Sequence, residues 1–171
     1  EWQAEALRRV DTALNRAAPA AAEIVLTLTP EQITHLERRY TKVNAEFRDE
    51  YLQPDPAKRA AAALKRTVER AEMLYGRLDA EQRERVAAAL ARSPFDAELW
   101  LTERRARQQD VLQTLTRLLR DKPTRDVTQA ALRGLVDRVE RSPHEAYRRY
   151  SERLLAANCA LAAALHNTTS A

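Results

Sequence analysis

The chain has 171 residues, 29 basic against 25 acidic side chains, and a formal net charge of +4. That length suits one domain able to bury roughly 70% of its unfolded surface, while 2 Gly and 5% aromatics argue against a sheet, whose strands and hairpins want aromatic, β-branched and Gly residues. Interleaved charges of both signs read as the solvated faces of helices and exclude the clustered Lys and Arg of a nucleic-acid binder.

No run of 18 apolar residues is present, so no segment reads as a membrane-spanning helix. The chain opens at Glu1 without Met or a signal peptide, and it reads as a mature form or a fragment of a longer protein. A single Cys159 excludes an internal disulfide.

A helix-start signature punctuates the chain: Thr29-Pro-Glu-Gln32, Asp79-Ala-Glu-Gln82, Ser93-Pro-Phe-Asp96 and Ser142-Pro-His-Glu145. The first side chain accepts from an orphan N–H of the opening turn, and a Gln or Glu three positions on reaches back to the cap. Pro suits the first helical position because its missing N–H had no partner there.

In chain order, Trp2, Ala6, Val10, Ala13 and Ala17 recur at helical spacing, and Pro19 kinks or restarts that first helix. A second helix starts at Pro30 and carries the clearest stripe, Ile33, Leu36, Tyr40, Val43, Phe47 and Tyr51, which reads as core. Residues 53–56, Gln-Pro-Asp-Pro, end it. Asp55 caps a third helix with Ala61, Leu64, Val68, Ala71 and Tyr75 inward, stopped at Gly76. A short fourth runs from about Ala80 to Arg92 with Val86 and Leu90 inward. The fifth runs from about Phe95 to Asp121, apolar at both ends, with Ala106 alone apolar between Glu103 and Asp110. Beyond Pro123 come a sixth, with Val127, Ala131, Leu135 and Val139, and a seventh from Pro143 to about His166. The last residues, 167–171, read as a frayed tail. The fold class is therefore all-α, an elongated bundle of six to seven helices with short Pro-marked joints, and one domain over 1–171.

Catalytic constellations are scarce. His35, His144 and His166 lie apart from one another and from Cys159, so no metal-ligand spacing forms. His144 and His166 read as surface positions, and Cys159 as a buried inert thiol among Leu155, Ala162 and Leu165. There is no Gly-rich phosphate loop and no Gly-flanked Ser. The reading is non-enzymatic, without cofactor or metal and with no catalytic residue. Two polar groups stand out: Asn44 and Arg48, one turn apart beside the stripe, and Arg104, Arg107, Gln108 and Gln109 in the polar middle of the fifth helix. They read either as solvated surface with structural ion pairs or as a patch that grips a partner, for which the planar Arg fork is suited.

Several segments resemble a family of Gram-negative bacterial lipoproteins without an assigned activity. They are Leu-Thr-Pro-Glu-Gln at 28–32, Asn-Ala-Glu-Phe-Arg-Asp-Glu-Tyr-Leu at 44–52, and Glu-Arg-Ala-Glu-Met-Leu-Tyr-Gly at 69–76. Ser-Pro-Phe-Asp at 93–96, Trp-Leu-Thr-Glu-Arg at 100–104 and Arg-Gln-Gln-Asp at 107–110 belong with them, as do Asn-Cys-Ala-Leu at 158–161 and Leu-His-Asn-Thr-Thr at 165–169. The resemblance implies a lipoprotein signal and a further N-terminal stretch absent from this chain. It also implies a periplasmic location held by lipid instead of a spanning helix. The repeated starts Leu28-Thr-Pro-Glu-Gln32 and Leu78-Asp-Ala-Glu-Gln82 are similar to the Leu-Thr-x-x-Gln motifs of Spy-type periplasmic chaperones. The second copy departs in having Asp for Thr. The expectation is a periplasmic protein-binding domain, a chaperone-like holder of unfolded envelope proteins, with an envelope adaptor for one specific partner as the alternative.

Overall fold

The computed structural model describes residues 2–168. Among them are seven helices and no strand: α1 (Trp2–Leu26), α2 (Pro30–Tyr51), α3 (Pro56–Tyr75), α4 (Ala80–Ala91), α5 (Ala97–Asp121), α6 (Arg125–Glu140) and α7 (Glu145–His166). The fold is an all-α bundle with short joints. Pro19 does not restart α1, which continues through it. The side chains of Trp2 and Ala6 lie outside the described residues.

Local capping sets most starts. Thr29 and Gln32 close a reciprocal box, with Thr29 N–H donating to Gln32 Oε1 at 2.9 Å and Gln32 N–H to Thr29 Oγ1 at 3.4 Å. Asp79 and Gln82 do the same at 3.0 and 2.8 Å. Asp55 accepts from Ala57 and Lys58 ahead of Pro56. The Ser-Pro starts differ from expectation. α5 begins at Ala97 and its cap is Asp96, whose Oδ1 accepts from Leu99 N–H at 2.9 Å, while Ser93 only closes a small turn with Phe95. α7 begins at Glu145 with His144 at the cap position and without a side-chain cap bond; Ser142 is buried. In both cases a distant residue holds the chain before the helix: Tyr150 at Asp96, Glu103 at His144.

The chain divides into two compact units, Glu1–Val43 with Arg104–Pro143, and Asn44–Glu103 with His144–Ala171. In the first, α1 lies on α6, and the buried residues of the two are Ala18 and Ala22 on one, Thr128 and Leu135 on the other. Small side chains at i, i+4 let helix axes approach toward ~8 Å. The sequence-derived inner face of α6 is thus corrected: Val127 and Val139 are exposed, and Thr128 takes a buried place by turning its hydroxyl back to Thr124 O. Thr114, Leu115 and Leu118 of α5 are buried too. Asp110 on α5 clasps Arg138 on α6 through two bonds, at 2.7 and 3.0 Å. α5 ends at Asp121, and Lys122 follows it at φ 44°, ahead of Pro123.

In the second unit, α3 and α7 pack on α4. Val68, Ala71, Leu78, Val86 and Leu165 form its core, flanked by Leu64, Tyr75, Leu90 and Leu161. Gly76 at φ 75° closes α3 in the left-handed region its residue type favours. Glu72 fastens the turn, accepting from Leu78 N–H at 3.1 Å and Arg83 Nη2 at 2.6 Å. Asn167 and Thr168 are ordered instead of frayed: the Thr168 hydroxyl donates to Leu165 O, and Gln82 Nε2 donates to the Thr168 carbonyl. Residues 169–171 lie outside the described residues. Cys159, expected to be buried, is exposed, as is Leu155. The inward face of α7 runs through Tyr150 and Leu165, with Leu161 half-buried, and leaves Cys159 on the solvent side.

Candidate functional site

The α2 stripe behaves as core in graded fashion. Phe47 is buried, while Ile33, Leu36, Tyr40, Val43 and Tyr51 are half-buried. Asn44 is buried and Arg48, one turn on, is exposed, so the two do not form one exposed pair. Both belong to the second unit. The four α5 candidates belong to the first unit; Arg104, Arg107 and Gln108 are half-buried and Gln109 is exposed.

Next to them in sequence, and absent from the sequence-derived candidates, is Glu103. Its side chain is 3% exposed, and its Oε2 lies 2.7 Å from Nδ1 of His144, which is 57% exposed. A buried carboxylate is tolerated only with a partner. Where Glu103 is ionised, Nδ1 must carry the proton it shares, which fixes the tautomer and the tilt of the ring. His144 is therefore no ordinary surface residue. No local pattern reveals the pair, whose members stand 41 positions apart. The one signal was an acid at the boundary between apolar Leu99–Leu101 and the polar stretch of α5.

A second arrangement in the same unit is an aromatic ladder. Trp100 stacks on Phe47 at 4.5 Å, Phe47 on Tyr51 at 4.5 Å, and Phe95 meets the edge of Tyr51 at 6.0 Å. The Arg66 guanidinium lies 4.2 Å over the Tyr51 ring and beside Glu50 at 3.5 Å. Such stacking on a charge-neutralised Arg ties α2, α3 and the start of α5 together. Tyr150 is buried, and its hydroxyl accepts from Asp96 N–H at 3.2 Å and donates to Asp96 O at 3.3 Å.

The chain matches a protein family over residues 3–148. It belongs to DUF6279, a family of unknown function. No curated protein and no solved structure matches it. The DUF6279 match takes in α1 through α6 and the first turn of α7, hence the whole of the polar α5 stretch, the Glu103–His144 pair and the aromatic ladder.

Electrostatic perturbation is mild. The hydroxyl of Thr29, followed by a backbone N–H, holds the Glu31 carboxyl below the usual range. Burial pushes the Tyr40 and Tyr150 phenols up. Among the described residues no His, Cys, Asp and Glu gather as a metal-ligand set, and no helix is long and apolar enough to cross a membrane. An open depression of about 630 Å³ lies along α1, lined by Arg9, Thr12, Ala13, Arg16 and Ala17.

Proposed function

We propose that this chain is a non-enzymatic protein-binding domain, periplasmic and tethered by a lipid anchor in the full-length protein, which holds unfolded or partly folded envelope proteins. The observation that carries the reading is the Met73–Leu74 pair at the end of α3. The two side chains are 78% and 80% exposed, with Arg70 one turn before them on the helix and Arg77 just past its end in sequence. Solvent-facing apolar side chains with Arg nearby in sequence offer weak contacts to many unfolded sequences, with a charge component that salt screens. The resemblance of the helix-start motifs to Spy-type chaperones supports the same reading. A single-partner envelope adaptor is the alternative, favoured by the half-buried Arg104, Arg107 and Gln108, which form a geometrically specific surface more than a greasy one.

The test is light scattering of a chemically unfolded client diluted into buffer with this domain, at low and moderate salt. Suppression near stoichiometry that weakens with salt, and drops in a Met73→Ser/Leu74→Ser variant, supports the holder. No suppression at several-fold excess removes it and leaves the adaptor, for which envelope cross-linking should then enrich one protein.

A further inference from the structure

Most of α1 carries two apolar strips, of which the structure uses one. The used strip is Ala18 and Ala22, buried on the side of α6. About 100° around the helix from it runs a second, Val10, Leu14, Ala17, Ala21 and Ile24, spaced 4, 3, 4 and 3. This is the alternation of a heptad seam, and in sequence Leu7 extends it by one more position. Val10 is 50% exposed, Leu14 37% and Ile24 65%, and from Arg8 to Ala17 every residue of the helix is exposed. The strip is thus an apolar seam without a covering element over its N-terminal half.

We propose that two copies of this chain pair through α1, seam against seam. A heptad seam fits a helix that carries the same repeat, because knobs at alternating three- and four-residue steps enter holes spaced alike. A second copy supplies that helix by definition, and a symmetric pair needs only one self-complementary patch. Charge permits the match in either direction. Of the positions flanking the seam, Ala13, Ala18, Ala20 and Val25 are neutral and Asp11 alone is charged, so no like charges face across it in register. Five seam side chains per copy, two of them Ala, bury less than the ~1,200 Å² of a stable specific interface, which belongs to weak, concentration-dependent association and not to an obligate dimer. This inference does not depend on the holder reading.

Sedimentation equilibrium of the whole chain, from about ten to several hundred micromolar, tests it. The weight-average mass should rise from 19.5 kDa toward twice that value across the series. Leu14→Glu, which sets a charge on an exposed seam position and leaves the α6-facing strip alone, should stay at the monomer mass throughout with helicity unchanged by circular dichroism. Val139→Glu, exposed on α6 and outside the seam, should associate like the parent. A parent that stays monomeric at the highest concentration overturns the proposal. So does a dimer that survives Leu14→Glu, or one lost equally in Val139→Glu.

Discussion

Tyr150→Phe removes one oxygen and nothing else, from a ring that is almost wholly buried, 1% exposed. Two hydrogen bonds go with it, at 3.2 and 3.3 Å, both to the backbone of Asp96, the residue that caps α5. At about 1 kcal/mol net for each neutral bond, the upper limit is about 2 kcal/mol. Asp96 is exposed, so water replaces part of the pairing, and we expect a loss near 1 kcal/mol, or about 2–4 °C in Tm for a chain of this size. A pH signature separates this from simple repacking. Burial raises the Tyr150 phenol above its usual range, so between the unfolded value of about 10 and the higher folded value the native state holds more protons than the unfolded one. Stability should be level in this respect below pH about 10 and fall above it. Tyr150→Phe should show a shallower alkaline fall; the residue of it belongs to Tyr40, raised by the same cause. Urea unfolding at a series of pH values measures both effects. A variant with the parent's midpoint at neutral pH and the same alkaline slope would refute the assigned role of the hydroxyl.

Three further outcomes are expected. His144→Ala removes one partner of buried Glu103, the ring nitrogen 2.7 Å from its Oε2, and, because the imidazole side is open to water, should cost about 1–2 kcal/mol in urea. Adding Glu103→Met should recover part of that loss, and strict additivity would show that the two are uncoupled. Lys122→Gly relieves a left-handed backbone at φ 44°, worth ~1–2 kcal/mol, against the greater unfolded-state entropy of Gly at ~0.5–1 kcal/mol. The net should be a gain of about 0.5 kcal/mol, read as a raised Tm; a fall would mean that the Lys122 side chain holds something. Arg104→Ala, if that residue grips a partner as proposed, should weaken capture of clients or of one envelope protein while Tm moves little; a large Tm loss with binding intact would make it a structural residue.

The order of the helices and most of their bounds were legible because they rest on local chemistry. Thr29, Asp55 and Asp79 cap the turns that follow them whatever the rest of the chain does, and Pro and Gly restrict the backbone where they stand. The inner face of α3 was legible from Leu64 onward, though not at Ala61, which is exposed, since a 3.6-residue period sorts Val68 and Ala71 from Arg70 without reference to a neighbour. Local chemistry is ambiguous where two candidate caps lie two or three residues apart. At Ser93 against Asp96, and at Ser142 against His144, the decision came from Tyr150 and Glu103, 54 and 41 positions away. The same limit applies to the choice among several apolar strips on one helix. Periodicity offered Val127 and Val139 on α6, but the approach of Ala18 and Ala22 on α1 favours the small Thr128 and leaves both valines in solvent. Cys159 was misread likewise, because an Ala-rich helix has no sharply apolar side until a partner covers one. Which polar side chains became buried partners, such as Glu103, and which stayed on the surface, such as Arg48, is a pairwise property of distant residues. A sequence carries no local mark of it, and the tertiary structure alone decided it.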